Sequence, residues 1–212
     1  MFQECDTRIN AMLDKQDAWS VAHNSKAETS KFQCLRLTQC ANVIHEDFHR
    51  SQSSLTIKCV NSTKLLGVIL DQELCWHQHF AYATHKGESL LFAINCLTRP
   101  SFGLLAQYVC RLYSAVVVLK VEYALPVWYT PLHCPSPTSH KHGSAQHTRT
   151  ISKLQRLACK MITSAFKSSP LDMMELLANI PPVQLQLADT CYREALRLCS
   201  LPSSHPLHLH AL

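Results

Sequence analysis

The amino-acid sequence predicts an α+β, mainly helical fold: a short antiparallel β hairpin or sheet followed by a helical bundle. Three observations carry this. Leu65–Leu70 is an apolar, partly β-branched run with one glycine, Gly67, and it ends at Asp71, which is the pattern of a short buried strand. From Trp76 the apolar residues change to helical spacing. Beyond Arg149 a long amphipathic stretch has cations on one side and apolar residues on the other.

Taken in order, Met1 to about Ala22 reads as a helix, with Ile9, Met12, Leu13 and Trp19 able to share a face. His23–Ser30 is polar and turn-like. Lys31 to about Cys40 alternates enough, through Phe32, Cys34, Leu35 and Leu37, to be a strand. Ala41–Ser54 is polar and reads as a hairpin loop. Leu55–Val60 and Lys64–Leu70 read as two strands joined by a tight turn at Asn61-Ser62-Thr63.

Trp76, Phe80, Ala83, Leu90, Leu91, Ile94 and Leu97 form one stripe of a helix, with His77, His85, Lys86 and Ser89 outside it, and Pro100 closes it. Leu104 to about Lys120 is a second helix, apolar nearly all round between Leu112 and Leu119 and therefore central to the core. The β-branched Val116–Val118 leaves a strand as the alternative there. The chain stays apolar from Leu125 to Tyr129 through Pro126. Pro131–Thr148 has no apolar period and reads as a linker. A third long helix covers Arg149–Phe166 and a short one ends near Asn179. Pro181-Pro182 opens the last, whose apolar side is Val183, Leu187, Ala188, Cys191, Tyr192, Ala195 and Leu198. From His205 the chain is a tail.

Composition narrows the function classes. Apolar residues make up 47% of the 212, enough for a substantial core, and charged residues only 17%, against a usual ~25%. A surface so poor in charge suits either a chain covered by another part of a larger protein or one that dissolves badly alone. The net charge of +5, with 13 histidines uncounted, favours an anionic partner. The 11 cysteines include no CxxC, and no signal peptide precedes them, so they read as free thiols in a reducing, intracellular compartment, cytoplasm or nucleus. The longest apolar run, around Leu112–Leu119, is too short to span a membrane, which takes about 20 residues. With 4 glycines and no glycine-rich phosphate loop, an independent nucleotide site is not expected.

The helix at Arg149 is the most informative feature. Arg149, Lys153, Arg156, Lys160 and Lys167 follow one another at 4, 3, 4 and 7 residues, which at about 100° per residue is one narrow stripe. No acidic residue lies between Arg149 and Lys167. Phosphate-backbone contact needs cations without competing carboxylates, because each neutralised phosphate releases counterion. A solvated face has the same pattern, and a basic amphipathic helix can also meet a membrane or calmodulin. His77-Gln-His79, His133-Cys134, His140-Lys-His142 and His147 offer metal donors, but not the compact cysteine-paired spacing of a structural zinc site, and no metal ligands are assigned.

The stretch LLGVILDQELCW, ending at Trp76, resembles the LGV-x-LD-x-x-L-x-W segment that follows the catalytic palm in reverse transcriptases of non-LTR retrotransposons, the fungal ones in particular. Three further stretches are similar in order and spacing: HNSKAETSKF at His23–Phe32, YALPVWYTP at Tyr123–Pro131 and SLPSSHPLH at Ser200–His208. The resemblance implies that 1–72 is the end of a palm with its hairpin, 73–132 thumb-like helices, 133–148 a flexible linker, 149–203 a helical connection and 204–212 a tail.

It implies that Lys31 stands where such polymerases place a general acid for the departing pyrophosphate. It also implies that Leu66 and Gly67 belong to the hairpin that holds the primer end, with Arg149, Lys153, Arg156, Lys160 and Lys167 facing primer–template RNA or DNA. The parent family polymerises with Mg2+ held by an adjacent aspartate pair. This chain has no Asp-Asp pair, so the resemblance implies a non-catalytic, cofactor-free fragment whose fingers and catalytic palm lie upstream and whose RNase H part lies downstream. The competing class is a helical protein-interaction module, or a non-functional remnant, with no nucleic-acid role.

Overall fold

The computed structural model describes residues 2–38, 47–50, 56–98, 103–133 and 143–207. The chain is α+β and mainly helical, in two compact units, Met1–Gln78 and His79–Leu212. Much of the expected loop over 41–54, Leu55, Pro100, His140, His142 and the tail from His208 lie outside the described residues.

The first unit begins with helix α1, Phe2–Ala22. The expected shared face is not formed: Ile9 and Leu13 are half-buried, but Met12 and Trp19 are exposed. Trp19 instead stacks on His23, with ring centroids 4.4 Å apart. Polar contacts hold α1 in this unit. Arg50 reaches Asp14 at 2.6 Å and Asp17 at 2.7 Å, and Arg36 reaches Asp6 at 3.5 Å.

Among the described residues from Lys31 to Thr38 the expected strand does not form. Thr29–Lys31 forms a single 3₁₀ turn, and beyond it Cys34 makes an isolated parallel bridge to Cys59. Strand β1, Phe48–His49, pairs antiparallel with β2, Thr56–Ile57, so a strand lies inside the stretch read as a loop. Phe48 and Ile57 face each other across this ladder and are both buried.

The hairpin turn also falls elsewhere than at Asn61-Ser62-Thr63. Strand β3, Ser62–Leu65, pairs antiparallel with β4, Val68–Asp71, in the register Ser62 to Asp71 and Leu65 to Val68. The loop is Leu66-Gly67, with φ of 48° and 92°. A two-residue hairpin turn with both φ positive matches the right-handed strand twist, and the glycine adopts it without strain. Leu66 accepts the left-handed region at a cost of about 1–2 kcal/mol. The apolar run reads as one continuous strand only because a leucine occupies a turn position. Asp71 then ends β4. Its carboxylate accepts the N–H groups of Cys75 at 2.9 Å and Trp76 at 3.1 Å, fixing a turn in which Leu74 and Trp76 both have positive φ.

The second unit is helical. Helix α2, His77–Asn95, buries Ala83, Gly87, Leu91 and Ile94 at the expected helical spacing, and also His79 and Thr84. Leu97, expected on the stripe, is exposed. Helix α3, Ala106–Leu112, runs through a π-helical segment, Tyr113–Val118, into α4, Leu119–Val121. The β-branched residues are thus helical, and the strand alternative does not hold. Only one stripe of this helix is central: Val109, Tyr113, Val117 and Val121 are buried, whereas Val116 and Leu119 are exposed. A residue every four positions faces the core, with Cys110, Leu112 and Val118 half-buried at its edges.

Helix α5, Leu125–Trp128, starts after Ala124 in the left-handed region. Helix α6, Ala145–Thr163, starts within the expected linker, earlier than Arg149. Its start is held by Thr130 and Ser144, which exchange two hydrogen bonds, Ser144 N–H to the Thr130 carbonyl at 2.9 Å and Thr130 N–H to Ser144 Oγ at 3.1 Å. It ends at Ser164 with φ of 53°, before the expected Phe166. Helix α7, Leu171–Ala178, ends at Asn179 in the left-handed region, and the Ile180 N–H returns to the Glu175 carbonyl at 3.0 Å. Helix α8, Val183–Cys199, follows Pro182. Its core side is narrower than the apolar pattern suggests. Val183 and Leu187 are buried, while Ala188, Tyr192, Ala195 and Leu198 are exposed. Gln186 and Thr190 turn inward instead and donate to the half-buried Glu122.

Candidate nucleic-acid interface

On α6, Ile151, Leu154, Gln155, Ala158, Cys159 and Ile162 are buried. That is i, i+3, i+4, i+7, i+8 and i+11, one continuous face. Arg149, Lys153 and Lys160 project from the opposite face and are exposed. Among the described residues none of the three has a carboxylate within ion-pair distance. The elementary reason is spacing. A helix with apolar residues on one stripe turns its cations outward, and the absence of acidic residues from Arg149 to Lys167 leaves no local counterion.

Arg156 does not share this arrangement. Its Nη2 donates to the carbonyls of Lys167 at 3.1 Å and Ser169 at 2.9 Å. The guanidinium therefore anchors the segment between α6 and α7, and its five-donor fork suits that task. Lys167 lies on this anchored segment, past the end of α6, rather than on the helix. The expected stripe of five is thus an exposed set of three on α6, one structural arginine and one lysine beyond the helix.

The other assigned residues belong to the first unit. Lys31 is exposed and its ammonium pairs with Glu28 at 2.6 Å. That ammonium, with the Ser30 hydroxyl next, holds the Glu28 carboxyl below its usual value. Leu66, 84% exposed, and Gly67 form the tip of the β3–β4 hairpin.

Of the histidine pairs, His77-Gln-His79 is divided: His77 is exposed and His79 buried. His79 and His147 join Phe80 and Trp128 in an aromatic cluster, with His147 to Phe80 at 4.1 Å and His79 to Trp128 at 5.7 Å between ring centroids. These rings are packing residues of the second unit.

Beneath the cationic face lies a polar network that the apolar pattern does not announce. Gln155, 1% exposed, accepts from Tyr113 Oη at 3.3 Å, and its Nε2 donates to Glu175 Oε1 at 2.8 Å and to the Pro181 carbonyl at 2.9 Å. Glu175 is itself buried. One signal in the sequence marks it: Gln155 is a polar residue on the same helical stripe as Ile151, Ala158 and Cys159.

Cys159 sits beside this network, fully buried. Burial first, then the charges of Glu175 and Cys110, pushes its thiol up to about 12 from an ordinary 9.0. Cys34, Cys75 and Cys191 are also shifted upward. A catalytic nucleophile requires the opposite shift. The unfolded chain ionises at Cys159 above pH 9 while the folded chain does not. The stability from its neutral burial is therefore whole below pH 9 and is lost as pH rises toward 12, at most about 4 kcal/mol. In urea titrations between pH 8 and 11, Cys159→Ala is expected to show a shallower loss of stability with pH than the parent. Parallel slopes would refute it.

No protein-family model, curated protein or solved structure matches the chain.

Proposed function

We propose that the chain binds the phosphate backbone of RNA or DNA through the outer face of α6, without itself polymerising, as a thumb-like remnant of a non-LTR reverse transcriptase. The carrying observation is the set Arg149, Lys153 and Lys160, exposed on one helix face with no carboxylate among the described residues paired to them. Arg149 to Lys160 spans about 16 Å of helix axis, roughly five base-pair rises. The resemblance in LLGVILDQELCW, and the hairpin it contains, support nucleic acid over other anions. Such a remnant acts inside the cell, where templates are, and the parent's Mg2+ chemistry is not assigned to it. Among the described residues no helix is long and apolar enough to cross a membrane.

The test is binding of the purified chain to a labelled primer–template duplex over a salt series, beside Arg149→Glu/Lys153→Glu/Lys160→Glu. Arg156 is left intact because it anchors the chain before α7. Binding is expected to weaken steeply with salt and to be lost in the variant at low salt. If each residue meets one phosphate, the neutral Ala triple variant lowers the log–log salt slope by ~3. Equal binding by folded parent and Glu variant would sink the proposal.

A second reading is supported by α7 and α8, where Leu176, Leu177, Leu185 and Tyr192 are exposed. A protein partner on these faces would bind with little loss, or a gain, at high salt. The same titration with a captured partner separates the two.

A further inference from the structure

We propose that Cys34 and Cys59 are a built thiol pair that closes to a disulfide on reaction with a low-molecular-weight disulfide such as oxidised glutathione. The two residues face each other in a parallel bridge. Hydrogen bonds on both sides hold them there: Cys34 N–H to the Lys58 carbonyl at 3.0 Å, and Val60 N–H to the Cys34 carbonyl at 2.9 Å. Bridge partners stand about 4.8 Å apart, inside the ~4.4–6.8 Å between α-carbons that a disulfide spans without backbone movement. Residues directly opposite each other across a ladder send their side chains to the same face, so the two thiols share one. Both are half-buried, open enough for a small reagent. The Arg36 guanidinium lies close enough to favour the Cys34 thiolate, opposing the burial that raises it.

The exchange balances in two steps. One protein thiolate attacks a sulfur of the reagent, forming a mixed disulfide and releasing one small thiol. The second protein thiolate attacks the protein sulfur of that mixed disulfide, forming Cys34–Cys59 and releasing the other small thiol. The two protein thiol protons end on the two released thiols, and the reagent takes the electron pair. A reducing small thiol reverses it.

The consequence falls on the first unit. Its buried apolar side chains among the described residues are Phe48, Ile57 and Val68. A covalent tie between the segment after the 3₁₀ turn and the residues leading into β3 would stiffen a unit with that little core, and with it the Leu66-Gly67 hairpin.

The full native chain is incubated with oxidised glutathione, remaining thiols are alkylated, and the digest is mapped by mass spectrometry, with a denatured sample alongside. The expected result is Cys34–Cys59 as the dominant internal disulfide in the native sample only. Cys34→Ser should then hold a lasting glutathione adduct on Cys59. In the oxidised parent, hydrogen exchange at the Cys34 and Val60 amides should slow ~10-fold or more. Glutathione adducts on both cysteines of the parent without an internal bond would overturn the proposal, as would the same pair forming equally after denaturation. A native bond that leaves exchange unchanged would overturn the stiffening.

Discussion

Gln155→Leu is expected to destabilise the second unit by about 4 kcal/mol, although it replaces a buried polar residue by an apolar one of similar size. The Gln155 side chain satisfies three groups at once: the Tyr113 hydroxyl, the Glu175 carboxylate and the Pro181 carbonyl. Leucine satisfies none. Each buried group left without its bond costs about 1–3 kcal/mol, more for a charged one, against a gain of about 1–2 kcal/mol from added apolar burial. Tyr113→Phe removes a donor and only one bond, so its cost should be nearer 1 kcal/mol. Urea unfolding followed by circular dichroism measures both. In the double variant the two losses should not add, because the Tyr113 hydroxyl is no longer there to be stranded. A Gln155→Leu midpoint equal to or above that of the parent would mean the network contributes nothing to stability.

Gly87→Leu is expected to be costlier still, with loss of the folded second unit. Gly87 lies in the middle of α2, where glycine is ordinarily unfavourable by about 1 kcal/mol relative to alanine. The neighbours explain its presence. A β-carbon there would stand 2.6 Å from Val121 Cγ2 and 3.1 Å from Leu154 Cδ2. The valine is short and stiff at χ1 and cannot swing aside. Alanine is therefore expected to lose about 1 kcal/mol net, its overpacking exceeding its helix propensity. Leucine adds further carbons where α2 meets α4 and α6, and exceeds what small shifts absorb. Gly87→Ala combined with Val121→Ala should recover part of the alanine loss. Calorimetry or urea titration decides. A Gly87→Ala variant more stable than the parent would show that the helices separate at little cost.

The helices were largely legible because each carries its own periodicity. Residues 77–95, 145–163, 171–178 and 183–199 alternate apolar and polar side chains at helical spacing, and Pro182 and Asn179 mark an entry and an exit. The strands were not. Leu66 in a turn hides the break between β3 and β4, and β1 and β2 are two residues each, too short for a period. Short strands exist only where a partner supplies the other half of the ladder, and two residues carry no pattern that says which partner that is.

The candidate interface divides in the same way. The sequence by itself determined that α6 would bear cations along one face and apolar residues along the other, since both follow from residue spacing and helix geometry. Only the tertiary structure decided that Arg156 holds the carbonyls of Lys167 and Ser169 while Arg149, Lys153 and Lys160 stay exposed. It likewise decided that Gln155 faces inward to Tyr113 and Glu175, that Gly87 admits the side chains of Val121 and Leu154, and that Cys34 lies opposite Cys59. The physical reason is common to all of them. Spacing along one element fixes which way a side chain leaves the backbone, but its partner is set by another element that packing brings alongside.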